Sequence, residues 1–85
     1  MTPRVVNMRS DPNWHVWVAR PSIWGNPFKA GKDGTREEVV ARYEEWVQSQ
    51  PHLVARLPEL KGKNLGCWCA PKRCHADVLL RLANQ

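Results

Sequence analysis

At 85 residues with a net charge of +5, the chain fits one compact domain, residues 1–85, that buries only around 60% of its unfolded surface, so its core must be economical. Hydrophobic residues at 42% and charged residues at 25% exclude a disordered chain, and no apolar run reaches the length of a membrane span. The opening Met1-Thr2-Pro3-Arg4 lacks the long apolar segment of a signal peptide, so a cytoplasmic protein with no membrane partner is expected.

Arg4-Val5-Val6-Asn7-Met8 reads as a first strand, stopped by the turn formers Ser10, Asp11 and Pro12. Trp14-His15-Val16-Trp17-Val18 is a second, ending before Pro21, because proline cannot continue a central ladder. Ile23 to Phe28 interleaves aromatics with Gly25 and Pro27 and is expected to be an ordered loop; Gly31-Lys32-Asp33-Gly34 is a turn. Thr35 then opens the clearest helix. Its hydroxyl and Glu38 form a capping box, Val39, Tyr43, Trp46 and Val47 share a face, and the helix should end near Gln50-Pro51. His52 to Leu57 reads as a short second helix closed by Pro58, and Lys61-Gly62-Lys63 as a linker.

Asn64-Leu65-Gly66-Cys67-Trp68-Cys69 is small, apolar and free of charge, as suits a central strand covered on both faces. The last helix runs from about Cys74 to Leu82, with Val78, Leu79 and Leu82 facing the core and Asp77 in the first turn, where a carboxylate suits the helix dipole. The class is therefore α/β: a single small domain with a three-stranded sheet flanked by helices, in the order β-β-α-α-β-α.

Three cysteines in eight positions, with no export signal, point to thiols rather than a disulfide framework. Cys69-Ala70-Pro71-Lys72-Arg73-Cys74-His75 joins a strand end to a helix start, where unpaired N–H groups and the positive dipole end favour an anion, with Lys72 and Arg73 to reinforce them. The same field would lower the pKa of the Cys74 thiol, and His75 would serve as acid or base. Cys67, alternating with Trp68 in a strand, reads as a small core residue. Cys67, Cys69, Cys74 and His75 are also zinc-ligand types, an alternative that the sequence leaves open, although structural zinc usually draws on two separated ligand pairs and here there is one tight cluster. No metal and no cofactor are expected.

The second unusual stretch runs from Arg20 to Phe28. Arg20 offers charge for phosphate, Trp24 a ring for stacking, and Ser22 and Asn26 hydrogen bonds, although Trp24 and Phe28 could equally cover the sheet and Asn26 fix a turn. Charge agrees with a phosphate ligand, because residues 1–30 carry +3 and residues 61–85 +4 around a middle of −2.

Val5-Val6-Asn7-Met8-Arg9, Arg20-Pro21-Ser22-Ile23-Trp24-Gly25-Asn26-Pro27-Phe28, Gly31 to Arg36 and Leu65 to Leu79 together resemble the bacterial and phage family known as domain of unknown function 4326. The resemblance spans nearly the whole chain. It departs at Ala19 and Ala76, where the family usually has glycine. It implies a small α/β domain and a site built from the two paired motifs, with no established reaction.

The residues lead first to a binding module. The two motif segments would enclose a nucleotide-like, phosphate-bearing small molecule, as in sequestering a nucleotide signal: Arg20, Lys72, Arg73 and the helix start at Cys74 would hold phosphate, Trp24 or Trp68 would stack, and Ser22, Asn26, Cys69 and His75 would complete the wall. An alternative is an enzyme with Cys74 as nucleophile, assisted by His75 or Asp77, on a nucleoside or nucleotide. Neighbouring side chains at a helix start diverge by about 100°, which weighs against that pair. Nucleic-acid binding agrees with the sequence pI of 9.6 but lacks a recognisable module. A second copy of the chain could complete the pocket.

Overall fold

A computed structural model describes residues 3–20, 22–69, 72 and 74–85. Its elements are β1 (Val5–Asn7), β2 (Val16–Trp17), α1 (Arg36–Gln48), α2 (Pro51–Val54), a 3-10 turn (Leu57–Leu60), β3 (Leu65–Cys67) and α3 (His75–Ala83). The class and order match the sequence reading. The sheet order is β1-β3-β2, with both outer strands parallel to β3, so the uncharged third strand is central.

A parallel pair normally needs a dozen or more residues to return. Here residues 8–15 cross from β1 to β2 without a helix, passing over β3 at Gly66. A Cβ on Gly66 would lie 2.9 Å from the Met8 Cγ and 3.0 Å from the Cβ and Cγ of Trp14. The absent side chain is what lets the crossing chain lie on the sheet.

Asn64 fixes the crossing at its ends. Its buried side chain accepts from the Arg4 N–H (3.1 Å) and donates to the Asn13 carbonyl (2.8 Å), while its own N–H donates to His15 Nδ1 (2.9 Å). Its carbonyl accepts from the N–H groups of His15 and Val16. One residue thus aligns both outer strands with β3. An Arg4–Asp11 ion pair at 3.0 Å lies outside this junction.

The other face of the sheet carries the core. Leu65 and Cys67 are buried with Val18, Tyr43, Val47, Leu53, Leu60 and Leu79, where α3 packs on the sheet, on α1 and on the 3-10 turn. The capping box of α1 is formed as its sequence requires: the Glu38 N–H donates to Thr35 Oγ1 at 3.2 Å and the Thr35 N–H to Glu38 Oε1 at 2.9 Å. An Arg81–Glu44 ion pair ties α3 to α1 on the surface.

Several boundaries move. The strands are shorter than their β-prone runs because Trp14 and His15 belong to the crossing chain, although the Val18 N–H still donates to the Gly66 carbonyl. The second helix starts at Pro51 and ends at Val54, and Pro58 opens the 3-10 turn instead of closing a helix. Both prolines occupy first-turn positions, where no N–H is required. On α3, Ala76 and Ala83 are buried beside Val78 and Leu79, whereas Leu82 is only half-buried.

Candidate functional site

The described residues of the loop from Arg20 to Phe28 have no regular structure, and their own side chains hold them. Ser22 Oγ accepts from the Trp24 N–H (3.2 Å), and Asn26 Oδ1 accepts from the Phe28 N–H (2.9 Å). Two further bonds pin the loop to α1: Asn26 Nδ2 donates to the Val39 carbonyl (3.3 Å), and the Tyr43 hydroxyl donates to the Trp24 carbonyl (2.7 Å). Burial pushes the Tyr43 hydroxyl well above the usual phenol range, so it remains a donor. A Cβ on Gly25 would stand 2.6 Å from the Arg20 Cγ, so the glycine is where the arginine stem is seated.

The strand-to-helix turn meets this loop. Asp77 accepts from the Cys74 N–H at 2.9 Å, which makes it the capping partner of α3. His75, buried at the first helical position, makes a 2.6 Å hydrogen bond to the Val18 carbonyl and sets its ring edge-on to Tyr43. A carbonyl only accepts, so Nε2 carries the proton and Nδ1 is the basic position. No described residue occupies Nδ1. Burial, aided by the nearby Arg20 charge, pulls the pKa of His75 below the ordinary imidazole value and keeps the ring neutral.

Loop and turn together line a cavity of ≈560 Å³. Arg20, Asn26, Trp68, Cys69, Cys74 and His75, all expected at the site, are on its wall. The exposed Trp68 ring also carries the Arg9 guanidinium 5.6 Å from its centre. Cys67, read as a core residue, is buried but also reaches the cavity.

Three expected contacts lie elsewhere. Trp24 is buried in the core, Ser22 is spent on the Trp24 N–H, and exposed Lys72 is not among the lining residues. Arg73, and with it Pro21, Ala70 and Pro71 of the two motifs, lies outside the described residues. Among the described residues, the cations on the wall are Arg20, Lys29 and Arg36, with Phe28 beside Lys29. Sequence reasoning passed over Lys29 and Arg36 because each sits at an exposed position where a cation needs no explanation. The one available signal was that both bracket the turn that follows the Asn26-Pro27-Phe28 motif.

The expected reactive thiol is also corrected. Cys74 Sγ lies 3.2 Å from Cys67 Sγ, and that hydrogen bond together with burial pushes its pKa far above the usual thiol range. The field of the helix start does not outweigh them. No group of three or more metal-ligating side chains occurs among the described residues, and no helix of the described residues is long and apolar enough to cross a membrane.

A buried neutral histidine makes stability depend on pH. In the folded state the pKa of His75 is depressed, so the unfolded chain binds the proton first, and stability falls as pH drops below the unfolded value of about 6.5. Urea midpoints should therefore be flat from pH 8 to 7 and decline from 6.5 to 5. In His75→Gln, whose amide can still donate to Val18, His75's share of that slope is lost.

Residues 4–85 match the family described as a domain of unknown function (DUF4326). The chain is 34% identical over 87 aligned positions to "Uncharacterized 12.4 kDa protein in nrdA-td intergenic region" of Enterobacteria phage T4, covering 96% of this chain and 78% of the phage protein. It is 35% identical over 78 positions to "Uncharacterized protein R718" of Acanthamoeba polyphaga mimivirus, covering 82% of this chain and 59% of the mimivirus protein. No solved structure matches.

Proposed function

We propose that this chain, which belongs to the family described as a domain of unknown function (DUF4326), binds a nucleotide-like, phosphate-bearing small molecule in the cavity between its two motif segments. One observation carries the reading: among the described residues the wall holds the cations Arg20, Lys29 and Arg36, the aromatic rings of Trp68 and Phe28, and no carboxylate. Cations of one sign in a concave site focus their field on an anion. A volume of ≈560 Å³ lies within the range that admits a small organic ligand. The exposed Trp68 offers its ring to a flat base. Asn26 uses one donor on Val39 and one acceptor on Phe28, and the ring of neutral His75 on the same wall is a further polar partner for a ribose hydroxyl or base amine.

The cysteine-nucleophile alternative has no comparable support, because the thiol of Cys74 is buried and held protonated. Calorimetry with nucleoside mono- and diphosphates, ADP-ribose and the matching phosphate-free nucleosides tests the proposal. The phosphorylated compounds should bind and the nucleosides should not. Arg20→Gln and Arg36→Gln should each weaken binding about tenfold or more, the loss of a hydrogen bond to a charged group. Binding that is absent throughout the panel, or indifferent to both substitutions, rejects it.

A further inference from the structure

Cys67 ends β3 and Cys74 caps α3; both are buried, both reach the cavity wall, and their sulfurs stand 3.2 Å apart. We propose that this pair is a thiol–disulfide site, closed reversibly by a low-molecular-weight disulfide while the domain stays folded. A disulfide bond is about 2.05 Å long, so the sulfurs must approach by a little over 1 Å, a distance that side-chain rotation supplies. The backbone is hydrogen-bonded on both sides. The Cys67 carbonyl accepts from the Met8 N–H at 3.0 Å, and the Cys74 N–H is held by Asp77 at 2.9 Å.

The chemistry balances without a further reactant. One thiol gives up its proton and attacks a sulfur of the small disulfide RSSR, expelling a thiolate that takes up the proton as RSH. The second thiol then attacks the protein sulfur of the mixed disulfide and expels a second RSH. The protein loses two electrons and two protons, and RSSR gains them. The cavity gives the small disulfide its approach, and Cys69, half-buried on the same wall, is the competing thiol that the test must remove. Because the Cys67 hydrogen bond and burial hold the Cys74 thiol protonated, closure should be slow at neutral pH and faster as pH rises. The product would tie the end of the central strand to the start of α3 across the floor of the cavity.

The sequence makes the product easy to read, since Lys72 and Arg73 lie between the two cysteines and trypsin separates them. Folded Cys69→Ser protein is incubated with glutathione disulfide at pH 8 and then digested without reduction. The expected result is loss of both thiols, loss of two hydrogens in mass, and a linked pair of tryptic peptides that dithiothreitol separates, with circular dichroism unchanged. The same chain treated in urea is the control. Two thiols that survive in the folded protein but oxidise in urea overturn the proposal. So does a stable glutathione adduct on either cysteine in place of the linked pair.

Discussion

Gly66→Val should destabilise the domain by about 3 kcal/mol, the upper part of the range for overpacking a filled site. The sign makes this measurement informative. On an open parallel strand, replacing glycine with a β-branched residue improves strand propensity and reduces the entropy lost on folding. Here the new Cβ alone would come within 2.9–3.0 Å of Met8 and Trp14, before the two methyl groups of valine are placed. The crossing chain must lift, and Asn64 and the main-chain bonds around it resist. Gly66→Ala should cost less, about 1 kcal/mol, because the Met8 side chain can rotate away. Urea unfolding should show a lower midpoint with an unchanged slope. A more stable Gly66→Val variant would mean that residues 8–15 do not cross the sheet there.

Asn64→Ala should be of similar size, a loss of about 2–4 kcal/mol, because two backbone groups lose their partners at once. The Arg4 N–H and the Asn13 carbonyl are both satisfied by the Asn64 side chain, which is itself buried. Asn64→Asp can still accept from Arg4 but cannot donate to Asn13, and it adds a charge, so it should recover little. A domain of this size has about 5–15 kcal/mol in total, so either variant should melt many degrees below the parent. Thermal unfolding followed by tryptophan fluorescence measures both.

What the sequence disclosed was what local chemistry controls. The capping box of Thr35 and Glu38 depends on residues three apart and was legible. So was the central place of β3, because an uncharged strand must be covered on both sides. The crossing of residues 8–15 was not legible, since the reason for Gly66 lies in Met8 and Trp14, distant in sequence from it. Proline was misread at Pro58 because it ends a helix from within but opens one from its first turn.

The candidate site shows the same division. Both motif segments were recognisable by composition, yet which side chains face the cavity depends on packing. Trp24 turns into the core where its carbonyl is claimed by Tyr43, while Trp68, just past the central strand, stays exposed. Cys74 looked acidic from its place at a helix start. The sulfur beside it decides otherwise, and that sulfur belongs to a residue whose sequence context said only that it was buried.

The strand order has a consequence for how the chain assembles. β1 and β2 have no contact with each other in the sheet, and each pairs only with β3, so the Arg4–Asn64 bond spans 60 residues and the Asn64–His15 bond 49. Closing such long loops comes before any reward in contacts. On a ribosome, the first two strands must therefore wait for residues 65–67 to emerge, while α1 can form as soon as it is made. The sheet is decided long after α1, and the cavity that borders it exists only once Trp68, Cys69, Cys74 and His75 have followed.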